Sequence, residues 1–354
     1  DLIIKSLPLA IATVLAGIFQ LVFMLIIIQK FKVMDLRFIN NKIDITKDKN
    51  EIKIYLKQTW NKFLPAAFGG GVIQVNLLVD TILASLLGFG SISYLYYADR
   101  IAQLPLGIIG IALGSVLLTS LSKSTASKDK KQFSTELIVS LKIGIFFSIP
   151  AAVVFINFSE LFIKILFERG EFTTLETMQT SQALIAYSIG IPAFIILKSC
   201  QPAFFALGDT KTPLYIGFLL LILNIVFSLL FMYFLRHAGI ALATSMVSWF
   251  GVMIYIGLLV RNGRIAKPNL DDVTKDLNYY SLLKYLGKII IVSLIMLVIM
   301  KLSLDVLLLF ITNKILILFF LVSLGLVTYA LTTYKLGYMP EQLLNFYISK
   351  SKKA

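Results

Sequence analysis

The chain has 354 residues, of which 58% are hydrophobic and only 15% charged, with a mean hydropathy of +0.87. An ordinary soluble domain carries about 25% charged residues, so that class is excluded and a polytopic membrane protein remains. The net charge of +14 points to basic loops at an anionic membrane surface, and nucleic-acid binding is the weaker reading because no basic-aromatic module is visible.

Nine hydrophobic stretches are long enough to cross a bilayer, which predicts an all-α fold with nine transmembrane helices. The first runs from about Leu7 to Gln29. The chain starts at Asp1, a few residues before it, without a basic n-region or cleavage site, and is therefore expected to be a fragment missing its N-terminal part. A basic loop follows, with Lys30, Lys32, Arg37 and six more lysines through Lys62. Within it, Glu51 to Lys62 mixes lysines with Ile, Leu and Trp60, as either an interfacial helix or an ordinary helix end would.

The second span, about Phe63 to Leu87, contains Asp80 with Asn76 one turn earlier, a spacing that puts both on one face. A lone buried carboxylate needs a cation or a proton, so Asp80 is a candidate for sodium or proton coupling.

The third span, about Ser91 to Leu121, places Asp99 and Arg100 inside an apolar run. Arg100 lies roughly 13 Å along this helix at about 1.5 Å per residue, near the midplane of a hydrocarbon core of about 30 Å. A charge there costs at least ~2.5–3.5 kcal/mol, so Arg100 is expected to face a polar cavity between helices rather than lipid. The other reading is a purely structural Asp99–Arg100 pair, although neighbours on a helix point about 100° apart. Pro105 should kink the helix one turn later, and Gly107, Gly110 and Gly114 recur at spacings that offer a close-packing face.

At this stretch a resemblance becomes specific. Tyr96 to Leu121, YYADRIAQLPLGIIGIALGSVLLTSL, resembles the MurJ (MviN) family of lipid II flippases, within the multidrug/oligosaccharidyl-lipid/polysaccharide exporter superfamily. Further similar segments are Gly170-Glu171-Phe172-Thr173, Ala183-Leu184 through Tyr187 and Gly190, Pro202 to Pro213, and Gly239 to Thr244. The resemblance implies a two-lobed transporter of fourteen spans, of which this chain would supply the sixth to fourteenth: the C-terminal lobe plus the extra C-terminal helix pair. On that basis residues 1–30 would be the last helix of the missing N-terminal lobe, 31–62 a basic cytoplasmic loop with an amphipathic helix, 63–262 the six-helix lobe, 263–285 a cytoplasmic linker, and 286–354 the helix pair with its basic tail.

The fourth span runs from about Leu137 to Phe158, followed by a second amphipathic segment, Ser159 to Gly170. The fifth covers about Thr177 to Ala206, interrupted by Pro192 and Pro202, with Lys198 between them. Lys198 either shares Arg100's cavity or lies close enough to the cytoplasmic end to snorkel. Thr212 and Pro213 suit the start of the sixth span, about Leu214 to Leu235. In that span Asn224 and Ser228 repeat the one-turn spacing, and Thr244 lies early in the seventh, about Gly239 to Val260. These three either complete an oxygen-rich cation site with Asp80 or simply bond across helices. The eighth and ninth spans are about Leu286 to Leu302 and Ile315 to Tyr334.

Basic residues cluster in alternate loops, which puts Asp1 outside and Ala354 in the cytoplasm. Cys200 has no partner for an internal disulfide, a single histidine, His237, excludes a histidine-rich metal site, and phosphate-loop and nucleophile-elbow motifs are missing. A transporter rather than an enzyme is expected, with no cofactor beyond the coupling ion. The resemblance implies a flippase in the bacterial cytoplasmic (inner) membrane that moves lipid II by alternating access in peptidoglycan biosynthesis. Its pyrophosphate would meet Arg100, Asp99 and Lys198, its polyprenyl tail a lipid-facing groove at the last two spans, and cell-wall synthesis and division proteins would be partners. The family's other cavity arginines lie in spans this chain lacks, so the fragment alone is not expected to transport. Two alternatives stay open: a flippase for another polyprenyl-linked glycan or a small-molecule antiporter of the same superfamily, and a membrane scaffold that does not transport.

Overall fold

Long apolar runs in lipid must satisfy every backbone polar group internally, and the helix is how a single segment does so. The computed structural model describes residues 2–30, 49–265, 279–311 and 313–340, and these are helical with short connections. The basic residues at 31–48, the linker residues 266–278 and the tail 341–354 lie outside the described residues.

The helices are α1 (Leu2–Lys30), α2 (Lys49–Ser85), α3 (Ser91–Pro105), α4 (Ile111–Ala126), α5 (Lys130–Phe167), α6 (Thr174–Ala206), α7 (Lys211–Leu235), α8 (His237–Arg261), α9 (Tyr279–Phe310) and α10 (Lys314–Lys335). A π-helical turn, Leu106–Gly110, joins α3 to α4 into one span. Among the described residues seven helical segments are long and apolar enough to cross a membrane: α3–α4 together and α5 to α10. α1 and α2 occupy the first and second expected spans and contribute the shorter apolar stretches Val14–Ile27 and Gly71–Ser85. The chain divides into two units between Asn61 and Lys62. In the first, the described side chains of α1 are almost all exposed and apolar.

The second unit is built around α6, which packs against α3, α4, α5 and α8. Small residues make this central position feasible. At Gly190 a Cβ would come within 2.5 Å of Ser245 Oγ and 2.9 Å of its Cα, so α6 and α8 meet almost backbone to backbone. Ser245 Oγ donates to the Ala186 carbonyl at 2.7 Å across the same contact. Trp249 adds a second tie, its indole N–H donating to Ile189 O at 2.9 Å.

Two local expectations, at the α6 prolines and the α7 cap, are corrected, and for the two amphipathic segments the helix-end alternative is the one observed. Pro192 and Pro202 do not interrupt α6, which runs unbroken from its Thr173–Glu176 capping box. α5 continues past Phe158, which departs from helical angles (φ −120°, ψ 18°), so the second amphipathic segment is largely the end of a bent α5. The first, Glu51 to Lys62, falls within α2. Asp209 rather than Thr212 caps α7, accepting from the backbone N–H groups of Lys211 and Thr212 at 3.1 and 3.0 Å.

Prolines leave orphaned carbonyls, and the packing supplies a donor to one of them. Pro150 has no N–H for Phe146 O, one turn earlier on α5. Tyr329 of α10 donates its hydroxyl there instead, at 2.6 Å. Pro202 likewise frees Lys198 O, and Gly114 of α4 lies over it, where a Cβ would come within 3.0 Å. The expected glycine face is therefore real at Gly110 and Gly114, which both meet Lys198. Gly107 is not part of it: nothing approaches its Cβ position within 4 Å.

Candidate functional site

Asp80 is buried, 9% exposed, where α2 meets α7 and α8. Its Oδ2 accepts from Asn76 Nδ2 at 3.3 Å and lies 3.3 Å from Thr244 Oγ1. Asn224 Nδ2 in turn donates to Thr244 Oγ1 at 3.1 Å, and Ser228 Oγ lies 3.5 Å from Asn224 Oδ1. The five residues thus form one chain of polar contacts across three helices. Asp80 Oδ1 is buried without a partner. A carboxylate oxygen in that position is costly unless something cationic meets it. The neighbouring oxygens come from hydroxyls, an amide and the Ile240 carbonyl, which Thr244 Oγ1 also approaches at 3.2 Å. With the two amide N–H groups of Asn76 and Asn224 directed at Asp80 Oδ2 and Thr244 Oγ1, the oxygens left for a hard monovalent cation or a proton centre on Asp80 Oδ1.

Arg100 is exposed on α3, with its guanidinium 4.7 Å from the Tyr96 ring centroid. Among the described residues the ion pair within 4.0 Å is Lys164–Glu168, at 3.9 Å, so Asp99 and Arg100 are not in salt-bridge contact. Asp99 accepts from Gln103 Nε2 instead. The aromatic face steadies the guanidinium and leaves its five N–H donors in one plane for a ligand. The expected kink after Pro105 takes the form of the π turn.

Lys198 is half-buried on α6, against Gly110 and Gly114 of the π turn and α4. Those contacts lie 10 to 14 residues beyond Arg100 on the same span, or about 15–20 Å at 1.5 Å per residue. Lys198 of α6 therefore packs against the α3–α4 span at a level well beyond Arg100.

A groove of about 620 Å³ runs between α5, α9 and α10 and is lined by apolar side chains, including Phe146, Phe155, Met296, Met300 and Met339. Its wall also includes Ile109 of the π turn. Gly325 admits Met300, whose Sδ would stand 2.7 Å from a Cβ there. Two half-buried lysines stand on two of the same helices, α5 and α9, without lining the groove: Lys288 Nζ is 4.5 Å from the Tyr338 ring centroid and Lys142 Nζ 5.9 Å from that of Tyr285. The sequence reading passed over this pair because lysines at span ends look like ordinary snorkelling residues. No local signal marks the pair, because each ammonium lies over a ring far away in the chain, Tyr285 for Lys142 and Tyr338 for Lys288.

A family model described as lipid II flippase MurJ matches residues 2–321. A probable lipid II flippase MurJ from Rickettsia prowazekii is 37% identical over 248 residues, 70% of this chain and 47% of that protein. One from Buchnera aphidicola subsp. Acyrthosiphon pisum is 31% identical over 84% of this chain and 56% of its own length. The chain spans about half the length of these curated relatives. Among solved structures, a lipid II flippase MurJ in an inward closed conformation is similar with a TM-score of 0.63 and 31% identity, covering 79% of this chain and 54% of that one. An outward-facing multidrug resistance MATE family transporter is similar in fold alone, with a TM-score of 0.51 and 15% identity over 75% of this chain and 60% of that one.

Proposed function

Because the chain belongs to the lipid II flippase MurJ family, we propose that it works in moving lipid II, the undecaprenyl-pyrophosphate-linked peptidoglycan precursor, across the bacterial cytoplasmic membrane. The relatives it matches are about twice as long, so the transport cycle is assigned to the whole protein. The observation that carries the reading is Arg100, a permanent charge exposed on a span near mid-bilayer depth and poised on an aromatic ring.

Physics favours a pyrophosphate there. A guanidinium fork makes charge-assisted, bidentate hydrogen bonds to phosphate oxygens, and these strengthen where water is scarce. The apolar groove of α5, α9 and α10 suits the polyprenyl tail, since its one lining hydroxyl, that of Tyr329, is already committed to Phe146 O. The energy source is sodium or a proton at Asp80. Either would neutralise the orphaned carboxylate and, through Thr244 and Asn224, favour the arrangement in which α2, α7 and α8 are joined. Loop charge orients the C-terminus toward the cytoplasm.

The test is complementation of a flippase-depleted bacterium by the full-length gene, comparing wild type with Arg100→Ala at matched membrane expression. Rescue by wild type alone supports the reading. Rescue by both removes Arg100 from the mechanism, and failure of well-expressed wild type overturns lipid II as substrate in favour of another glycan-lipid.

A further inference from the structure

Arg100 does not stand alone on its face of α3. Tyr96, one turn before it, and Gln103, three residues after it, are also exposed, and Asp99 is half-buried beside it. At about 100° per residue, Tyr96 and Gln103 point within about 40° and 60° of Arg100, both to the same side of it. Asp99 lies on that side too and accepts an amide hydrogen from Gln103 Nε2. Four polar side chains therefore share two turns of one helix near mid-bilayer depth, where lipid would be a costly neighbour and a polar ligand a favourable one.

Their chemistry divides into two parts. Arg100 lies over the Tyr96 ring, which covers one face of the guanidinium and leaves its N–H edge for phosphate oxygens. Gln103 is uncharged, and its bond to Asp99 fixes the plane of its amide. The second amide hydrogen and Oε1 have no partner among the described residues, so one donor and one acceptor are held in a set orientation. Residues three apart on a helix stand about 5–6 Å apart at Cβ. A sugar bonded directly to a diphosphate carries its hydroxyl and acetamido groups within a similar span of the outer phosphate. Arg100 by itself cannot tell a glycan-bearing carrier from the bare carrier diphosphate, because both present the same phosphates to it. A neutral, oriented amide next to the guanidinium can.

We propose that Gln103, held in orientation by Asp99, is a specificity-determining residue that hydrogen-bonds the first sugar of a polyprenyl diphosphate glycan while Arg100 holds the diphosphate. The inference rests on the flippase reading and adds to it the contact that distinguishes the loaded carrier from the bare one.

The experiment uses the full-length protein in phosphatidylcholine nanodiscs, titrated separately with undecaprenyl pyrophosphate and with undecaprenyl pyrophosphate carrying one N-acetylated sugar. Wild type should bind the sugar-bearing lipid about 3- to 10-fold more tightly, the worth of one neutral hydrogen bond. Gln103→Met and Gln103→Leu remove the donor and acceptor but keep a side chain of similar bulk. Both should lose the preference while binding undecaprenyl pyrophosphate with unchanged affinity, which also shows that they are folded. Arg100→Ala should weaken both lipids by the same factor and leave the preference in place. A preference that survives in the Gln103 variants overturns the proposal. So does an equal loss for the two lipids in those variants, which would mean that Gln103 acts by placing Arg100 and does not read the sugar. Lipid II transport by the wild type in proteoliposomes separates the two claims. If wild type transports lipid II yet shows no preference between the two probes, the sugar contact alone falls; if it neither transports lipid II nor binds either probe, the flippase reading falls as well.

Discussion

Thr244 Oγ1 stands 3.3 Å from Asp80 Oδ2, although 164 residues separate them in the chain. That contact joins α8 to α2 at a carboxylate whose other oxygen is buried without a partner. A cation bound there stabilises only the arrangement that assembles the cluster. At about 100 times its dissociation constant, such a ligand contributes about 2.7 kcal/mol. Wild-type protein should melt at a higher temperature as sodium rises or, with proton coupling, as pH falls. Asp80→Asn should flatten both dependences, and Thr244→Val should reduce them; an undiminished response in Asp80→Asn would remove the site.

Arg100 should matter for transport and little for folding. Its side chain is exposed, and substitutions of that kind usually change stability by no more than about 0.5 kcal/mol. Arg100→Ala is expected to melt like wild type yet fail to complement, while Arg100→Lys should complement only partly because an ammonium lacks the planar fork. Melting curves and complementation on the same variants check the separation.

Tyr329→Phe should destabilise the protein by about 1–3 kcal/mol, the cost of leaving a buried acceptor without a donor. The carbonyl in question, Phe146 O, has no fallback, since Pro150 cannot supply the helical N–H. Replacing Pro150 with Ala in the Tyr329→Phe background should recover part of that loss, because the N–H returns. Chemical or thermal unfolding in detergent measures both.

Gly190→Val should cost about 1–3 kcal/mol or prevent assembly, as overpacking does at a close contact. Even a Cβ there collides with Ser245 and the Phe194 ring. Pairing it with Ser245→Gly should relieve the Oγ clash but not the backbone approach, so recovery is expected to be incomplete in the same melting assay.

The spans were legible in the sequence because hydropathy over some twenty residues is a strong signal. So were the members of the Asp80 cluster: Asn76 with Asp80, and Asn224 with Ser228, announce a shared face by their spacing. That these faces meet at Thr244 was not legible, since it depends on how α2, α7 and α8 cross, and nothing local records that. The continuity of α6 through Pro192 and Pro202 was likewise hidden. Local rules treat proline as a breaker, whereas a helix enclosed by four others has nowhere better to put its chain. The lysine pair of α5 and α9 escaped notice for the opposite reason, because Lys288 looked ordinary until Tyr338, 50 residues after it, was folded back onto it.

The π turn at Leu106–Gly110 acts as a rotary offset between two halves of one span. At about 100° per residue, an uninterrupted α-helix would point Arg100 and Gly114 within about 40° of each other. One surplus residue in the turn widens that to about 140°. Gly114 can then press on Lys198 of α6 while Arg100 looks the other way, into the open. Deleting a single residue from this turn would leave hydropathy and length almost unchanged. It would make the glycine contact and the arginine compete for one face, so that docking α4 would bury the charge and freeing the charge would undock α4.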